Sequence, residues 1–298
     1  MGRSAADRHR LRGADAGARD ARRRARVPSA RTLAATRRVL PVRTGRAGDV
    51  STRARGARRV ISPGQIVVIG DSHIGLGEGS EIKINGWLDR LVPTKPRALY
   101  LNGDLFHYLI AHRNFRTSSV DRVMEKFRDV RDRGVPIHFV EGNRDFFLKG
   151  SFVEDAVTDV GNEYAIAAGA KKYLITHGDT INDRDYAYRF WRRASKNPIT
   201  KFGVNFIPKR IARGFVDSVE RKLAKSNFKH KSRLPVELMQ EFGRKRAREG
   251  VTNIVFGHFH EKTVMPGDPT IAILPPWYET GEAMVIDPDS GEFSFEVI

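Results

Sequence analysis

The chain has 298 residues, 40% of them hydrophobic, enough for one large globular domain or two small ones. It contains no cysteine, which excludes disulfides, thiolate catalysis and cysteine zinc sites and leaves His, Asp, Glu and Asn to hold any metal. The net charge of +18 is uneven: residues 1–60 carry +14, residues 184–250 carry +13, and the remainder carries −9. No apolar run reaches the roughly 18–20 residues of a membrane-crossing helix.

Residues 1–60 hold 18 Arg, no Lys and 4 Asp, with few large apolar side chains and no sustained periodicity. Such a segment cannot bury enough surface to offset its ordering entropy, so a disordered Arg-rich N-terminal extension is expected. A tether for nucleic acid or an acidic membrane, and a transit peptide, are alternative readings. A signal peptide is not expected, because no apolar core of about 7–15 residues is present. Lys is absent here yet frequent afterwards, which favours an over-extended gene start.

The body is expected over residues 61–298, with strand and helix alternating. Gln65–Ile69 reads as an apolar strand ending at Asp71-Ser72-His73. A short helix follows over about 81–92, interrupted by Pro93 and Pro96. A second strand, Ala98–Leu101, ends at Asn102-Gly103-Asp104. In residues 118–132, Val120, Val123, Met124, Phe127 and Val130 recur at helical spacing, with Gly134 and Pro136 as the stop. A third strand, Pro136–Val140, ends at Glu141-Gly142-Asn143-Arg144-Asp145. Tyr173–Thr176 then ends at His177-Gly178-Asp179, and Asn253–Phe256 at Gly257-His258-Phe259-His260. Thr270–Leu274 and Ala283–Ile298 read as closing antiparallel strands, turning at Asp289-Ser290-Gly291.

This alternation predicts an α/β fold with parallel pairing and right-handed crossovers, in which ligands sit beyond the carboxyl ends of strands. Any single Gly-Asp or Gly-Asn after a strand is more simply an ordinary turn. Five strand ends in succession all carry metal-capable groups: Asp71 and His73, Asp104, Asn143, His177, then His258 and His260. Period-two alternation predicts that Asp71 and His73 face one side together, and His258 and His260 likewise. Seven oxygen and nitrogen donors without sulfur suit one or two divalent ions of the Mn, Fe or Zn kind. Two ions would need a bridging carboxylate, for which Asp104 is the natural choice, and would equip the site for hydrolysis at a phosphoryl group.

Residues 184–250 form a basic insert, with Ile211, Phe215, Val219 and Leu223 at four-residue steps on one amphipathic helix. It reads either as a helix packed on the body with a solvated basic face or as a lid offering apolar and positive surface to an anionic, lipid-like substrate or a membrane.

Together, Asp71-x-His73, Gly103-Asp104, Gly142-Asn143-Arg144-Asp145, His177-Gly178-Asp179 and Gly257-His258-Phe259-His260 resemble the five motifs of the calcineurin-like metallophosphoesterases. The resemblance spans residues 64–298 and implies a four-layer αββα sandwich with a helical insert as lid. It implies one metal on Asp71, His73, Asp104 and His260, and a second on Asp104, Asn143, His177 and His258. Arg144 stands where most of that superfamily has histidine. Gly-Asn-Arg-Asp there, with Gly103-Asp104-Leu105-Phe106, Asp185 eight residues after His177 and Trp277-Tyr278-Glu279, is similar to the UDP-2,3-diacylglucosamine pyrophosphatases of lipid A synthesis.

That narrower resemblance implies a hydrolase cleaving UDP-2,3-diacylglucosamine to the lipid 1-phosphate and UMP, with two divalent ions, most often Mn²⁺. Asp104, Asn143, Arg144 and His258 would be catalytic. Asn143, Arg144, Asp185, Ser226, Lys229, Lys231 and His258 would contact substrate. Its partners would be the UDP-linked acylated sugar and the cytoplasmic face of the inner membrane, with neither nucleic acid nor an obligate protein partner expected. Departures are His107, where the family usually has an acid, and Phe259, where it has Thr. Asp145 is expected to support backbone or Arg144, and Asp179 to orient His177. His138 is expected to be a packed strand residue and His112 a surface loop group. The runner-up readings are another calcineurin-like phosphodiesterase or nucleotidase and, outside enzymes, a basic nucleic-acid-binding protein with a structural metal site.

Overall fold

The structure, a computed structural model, describes residues 61–77, 79–212, 214, 218 and 234–298. The segment 1–60 lies outside the described residues, as do Phe215, Val219 and Leu223 of the expected insert helix and the substrate candidates Ser226, Lys229 and Lys231.

Two sheets face each other. The first has strand order β13-β12-β1-β2-β4-β6, built from β1 (Ile66–Ile69), β2 (Ala98–Asn102), β4 (Ile137–Val140), β6 (Asp159–Gly161), β12 (Glu282–Ile286) and β13 (Phe293–Val297). The second has order β10-β11-β9-β8-β7, from β7 (Glu163–Ala168), β8 (Lys171–Thr176), β9 (Asn253–Phe256), β10 (Thr263–Met265) and β11 (Thr270–Ile273). A small parallel pair, β3 (Leu109–Ile110) and β5 (Asp145–Phe146), stands apart. Each large sheet has a parallel core, β1-β2-β4-β6 or β8-β9-β11, with antiparallel strands on one side of the first (β12, β13) and on both sides of the second (β10, β7).

Side-chain alternation explains the layering. In β1, Val67 and Ile69 face a core shared with α1 (Ser80–Leu91) and α2 (Ser118–Asp132), while Ile66 and Val68 face the second sheet. In β9, Val255 joins that inter-sheet core, while Ile254 and Phe256 pack toward Met239 and Phe242 of α5 (Val236–Ala247). Three cores thus separate four layers, helix, sheet, sheet and helix, as the resemblance implied. α2 spans the expected residues, opens on a Thr117 side-chain cap to the Val120 amide, and buries the five predicted apolar positions. The Asp289-Ser290-Gly291 turn joins β12 to β13, with Gly291 at φ 68°.

The five strand ends belong to two sheets, β1, β2 and β4 in one and β8 and β9 in the other, as the expected sandwich requires. Every central strand is buried on both faces, so its apolar run carries no mark of which sheet it joins. The insert begins with α3 (Tyr186–Ser195) and α4 (Pro198–Val204), which leave Tyr186, Phe190, Ile199, Phe202 and Phe206 largely exposed. No helix among the described residues is long and apolar enough to cross a membrane.

Candidate metal centre

The backbone at the strand ends departs from regular geometry. Among the described residues seven non-glycine residues have positive φ, and five are Asp71, His73, Asp104, His258 and His260. Left-handed backbone costs roughly 1–3 kcal/mol at a non-glycine residue, and such strain gathers at functional sites. Asp and His are among the types that tolerate it best. Strand alternation therefore does not aim these side chains, because β1 ends at Ile69 and β9 at Phe256. Asp71 and His73 still converge, but His258 and His260 diverge, correcting the expectation that they point together. His258 Nδ1 lies 2.9 Å from Asn143 Oδ1, whereas His260 Nε2 lies 3.0 Å from Asp71 Oδ1.

Two donor clusters result. Asp71, His73 and His260 form one, with His73 Nε2 3.2 Å from His260 Nε2 and 3.8 Å from Asp71 Oδ1. Asp71, Asp104 and His177 form the other. Asn143 joins it, its Oδ1 3.0 Å from His177 Nε2, and His177 Nε2 is 3.5 Å from Asp104 Oδ1. All seven predicted ligands are thus brought together. The carboxylate common to both clusters is Asp71, whereas Asp104, the expected bridge, appears in one.

The donor chemistry fits divalent cations. His177 Nδ1 donates to the Asn102 carbonyl at 3.0 Å, so Nε2 is left as a lone pair facing an amide oxygen and a carboxylate oxygen. Three acceptors in mutual contact need a cation between them. The electrostatics agree. Burial disfavours the charged form of Asp71, but the hydrogen bond and charge of His260, with His177 and His73, hold its carboxyl far below the usual range. Burial also opposes charge on His177, yet Asp104 and Asp71 push its pKa up, so a proton is favoured where a metal would sit. Burial holds His73 well below its ordinary value, leaving a neutral imidazole suited to ligation.

Tight turns set these groups. A Cβ on Gly103 would come 2.3 Å from His177 Nδ1, and one on Gly142 would come 2.4 Å from Asp104 Oδ1. Only glycine lets these loops close on the ligands. Asp145 is fully buried and accepts the amides of Asp104 (2.8 Å) and Gly142 (2.9 Å), the expected supporting role. Burial, reinforced by Asp104, raises its carboxyl to about 7.

Arg144 projects beside the second cluster. Its amide donates to Asp104 Oδ1 at 2.9 Å and its Nε lies 3.4 Å from Asp104 Oδ2. Its Nη1 lies 3.2 Å from His107 Nδ1 and 3.3 Å from the His107 carbonyl. His107 is buried, and burial together with Arg144 lowers it to about 4, so a neutral ring stands beside the guanidinium.

One further expectation is corrected and others find their places. Asp179 does not orient His177, whose Nδ1 is held by Asn102. Asp179 instead accepts from Tyr188 Oη (2.5 Å) and Arg192 Nη1 (2.6 Å), because α3 lies across it. Asp185, a substrate candidate, caps α3 by accepting the Tyr188 amide at 2.9 Å. His138 stacks on Tyr100 and pairs with Asp159 at 2.8 Å, and His112 bonds Asn205 at 2.9 Å. Asn102, Arg192 and Lys196 were missed as residues around the site. Asn102 stood beside Gly103-Asp104, but Lys196 was one cation among many in the insert.

A family model described as calcineurin-like phosphoesterase matches residues 64–262. Among curated relatives, a protein of Actinobacillus succinogenes named UDP-2,3-diacylglucosamine hydrolase is 28% identical over 66% of this chain and 84% of its own length. Proteins of the same name from Pseudomonas putida and Haemophilus influenzae are 30% and 26% identical, over 64% and 70% of this chain and 82% and 88% of theirs. Among solved structures, zinc-bound Vps29 of Entamoeba histolytica aligns over 78% of this chain and 89% of its own at 13% identity and a TM-score of 0.40. With the family model covering two thirds of the sequence, including all seven clustered donors, the chain belongs to the calcineurin-like phosphoesterases.

Proposed function

We propose that this protein is a two-metal hydrolase that splits the diphosphate of UDP-2,3-diacylglucosamine into 2,3-diacylglucosamine 1-phosphate and UMP. Arg144 carries this reading. A diphosphate leaves as phosphate, a weak base that needs little protonation, so a fixed guanidinium stabilising charge serves better than an acid. The curated relatives carry the name of that activity.

Asp71, His73 and His260, with Asp104, would hold one ion; Asp104, Asn143, His177 and His258 would hold the other. Divalent cations there, Mn²⁺ by the resemblance, supply a water-derived nucleophile near neutral pH and neutralise charge on phosphoryl oxygens. Arg144, held by His107, faces the developing negative charge. Asn143 and His258 orient the phosphoryl group by hydrogen bonds.

The insert supports an acylated substrate. Phe190, Ile199, Phe202, Phe206 and Ile211 are exposed by 63–83%, near Arg193, Lys209 and Arg210. An apolar surface with cations suits acyl chains and an anionic bilayer surface, which supports a peripheral position on the cytoplasmic face of the inner membrane.

The test is a substrate comparison with purified Mn²⁺-loaded protein. Turnover of UDP-2,3-diacylglucosamine to UMP is expected. Turnover of bis-p-nitrophenyl phosphate without any of the UDP-sugar lipid would end the reading in favour of a general phosphodiesterase.

A further inference from the structure

Lys196 is an unusual cation. Its side chain is only 9% exposed, it lies just past α3 in the insert, and its ammonium is 5.0 Å from the Phe146 ring. Nζ donates to the Gly142 carbonyl at 2.7 Å and to Glu141 Oε1 at 2.8 Å. Arg192, one turn back on α3, reaches the same carbonyl at 3.5 Å and ion-pairs with Asp179 at 2.6 Å.

The targets of these bonds matter. The Gly142 carbonyl belongs to the peptide that leads into Asn143, so fixing that oxygen fixes the plane from which the Asn143 side chain departs. The Gly142 amide is already fixed by Asp145 at 2.9 Å, and no Cβ fits beneath Asp104. The two insert cations therefore complete the hold on Gly142, fixing the peptide after it as Asp145 fixes the one before. Asp179, two residues after His177, is pinned by Arg192 and by Tyr188 of the same helix. The insert thus grips the two loops that present Asn143 and His177 to one ion.

The geometry points to Lys196 and Arg192 as positioning residues that couple docking of the insert helix to occupancy of the Asn143–His177 metal position. This rests on the two-metal reading above. A desolvated ammonium on the carbonyl beside a ligand acts like the outer partners of metal ligands, whose loss weakens binding by about 10–100-fold. The coupling is reciprocal: metal at that position must stabilise α3 on the body as much as α3 stabilises the metal.

Lys201 is the internal control. It also reaches from the insert to body carbonyls, of Lys149 at 2.6 Å and Gly150 at 3.2 Å, but that segment bears no ligand. The experiment is a calorimetric Mn²⁺ titration of the metal-stripped full chain, beside hydrogen exchange of residues 186–195 with and without Mn²⁺. The wild type is expected to bind two ions and to slow exchange in α3. Lys196→Met should weaken one ion by about 10-fold or more, leave the other within about 2-fold, and abolish the Mn²⁺-dependent protection. Lys196→Arg should restore most of the affinity, and Lys201→Met should bind both ions as the wild type does. Unchanged affinity for both ions in folded Lys196→Met, or equal loss in Lys201→Met, overturns the coupling while the two-metal reading stands. A wild type that binds fewer than two ions overturns both.

Discussion

The strand-end loops and the first two insert helices are built on opposite terms. Asp71, His73, Asp104, Asp145 and His177 are almost wholly buried, the backbone of Asp71, His73 and Asp104 is left-handed, and the loops are glycine-cradled and pinned by amide-to-carboxylate bonds such as that from the His258 amide to Asp71 Oδ2 at 2.7 Å. α3 buries no residue and α4 buries only Val204, while their large apolar side chains face outward. A site that must hold charge at fixed spacing is over-determined by the two sheets, since misplaced donors lose their cation. A surface that must receive acyl chains need not be, since apolar burial is non-directional. The insert's first two helices are held by the polar bonds of Arg192 and Lys196 and by a small apolar cluster in which Val204 and Ala212 meet Phe115, Phe146 and Phe147.

The sharpest way to break the comparison is at the carboxylate. Asp104→Ala should lower kcat by more than roughly 1000-fold and lose at least one ion in the calorimetric titration, because it removes donor and charge together. A variant that kept both ions would show that Asp71 alone joins the clusters. Arg144→Ala should cost about 100–1000-fold in kcat with metal binding retained, and Arg144→Lys should recover little, since a point charge cannot replace a guanidinium spanning Asp104 and His107.

A smaller and more selective effect is expected on the insert. Replacing Phe190 and Phe202 with Ser should raise KM for the diacylated substrate by roughly 10-fold, as two buried aromatic contacts are lost, and leave hydrolysis of bis-p-nitrophenyl phosphate unchanged. A parallel loss on both substrates would mean that these side chains support the fold rather than the ligand.

The smallest effect concerns His107. Its pKa is lowered to about 4 from 6.5, so below 6.5 the unfolded chain binds a proton that the native protein refuses. Its contribution to stability is therefore lost as pH falls from about 6.5 toward 4. Denaturant melts of wild type and His107→Asn across that window should show the wild type losing roughly 1–3 kcal/mol relative to the variant. A constant gap would mean that His107 keeps its proton in the fold.

The sequence by itself determined which residues gather at the strand ends and which elements bear them. Helical spacing located α2 at its true ends, apolar runs found β1, β2, β4, β8 and β9, and the motifs after them named the seven residues that converge there. These are local signals: a strand's apolar run and the polar turn after it are contiguous in the chain. What only the tertiary structure decided is where the donors point and who holds them. Strand alternation predicted one direction for His258 and His260, but left-handed backbone beyond β9 sends them to separate clusters. Asp179 stands two residues after His177 in sequence, but α3 takes its carboxylate for Tyr188 and Arg192. Lys196 had no signature, because a buried cation and a solvated one are spelled alike. Only packing across 54 positions, from Gly142 to the end of α3, singles it out from the other cations of the insert.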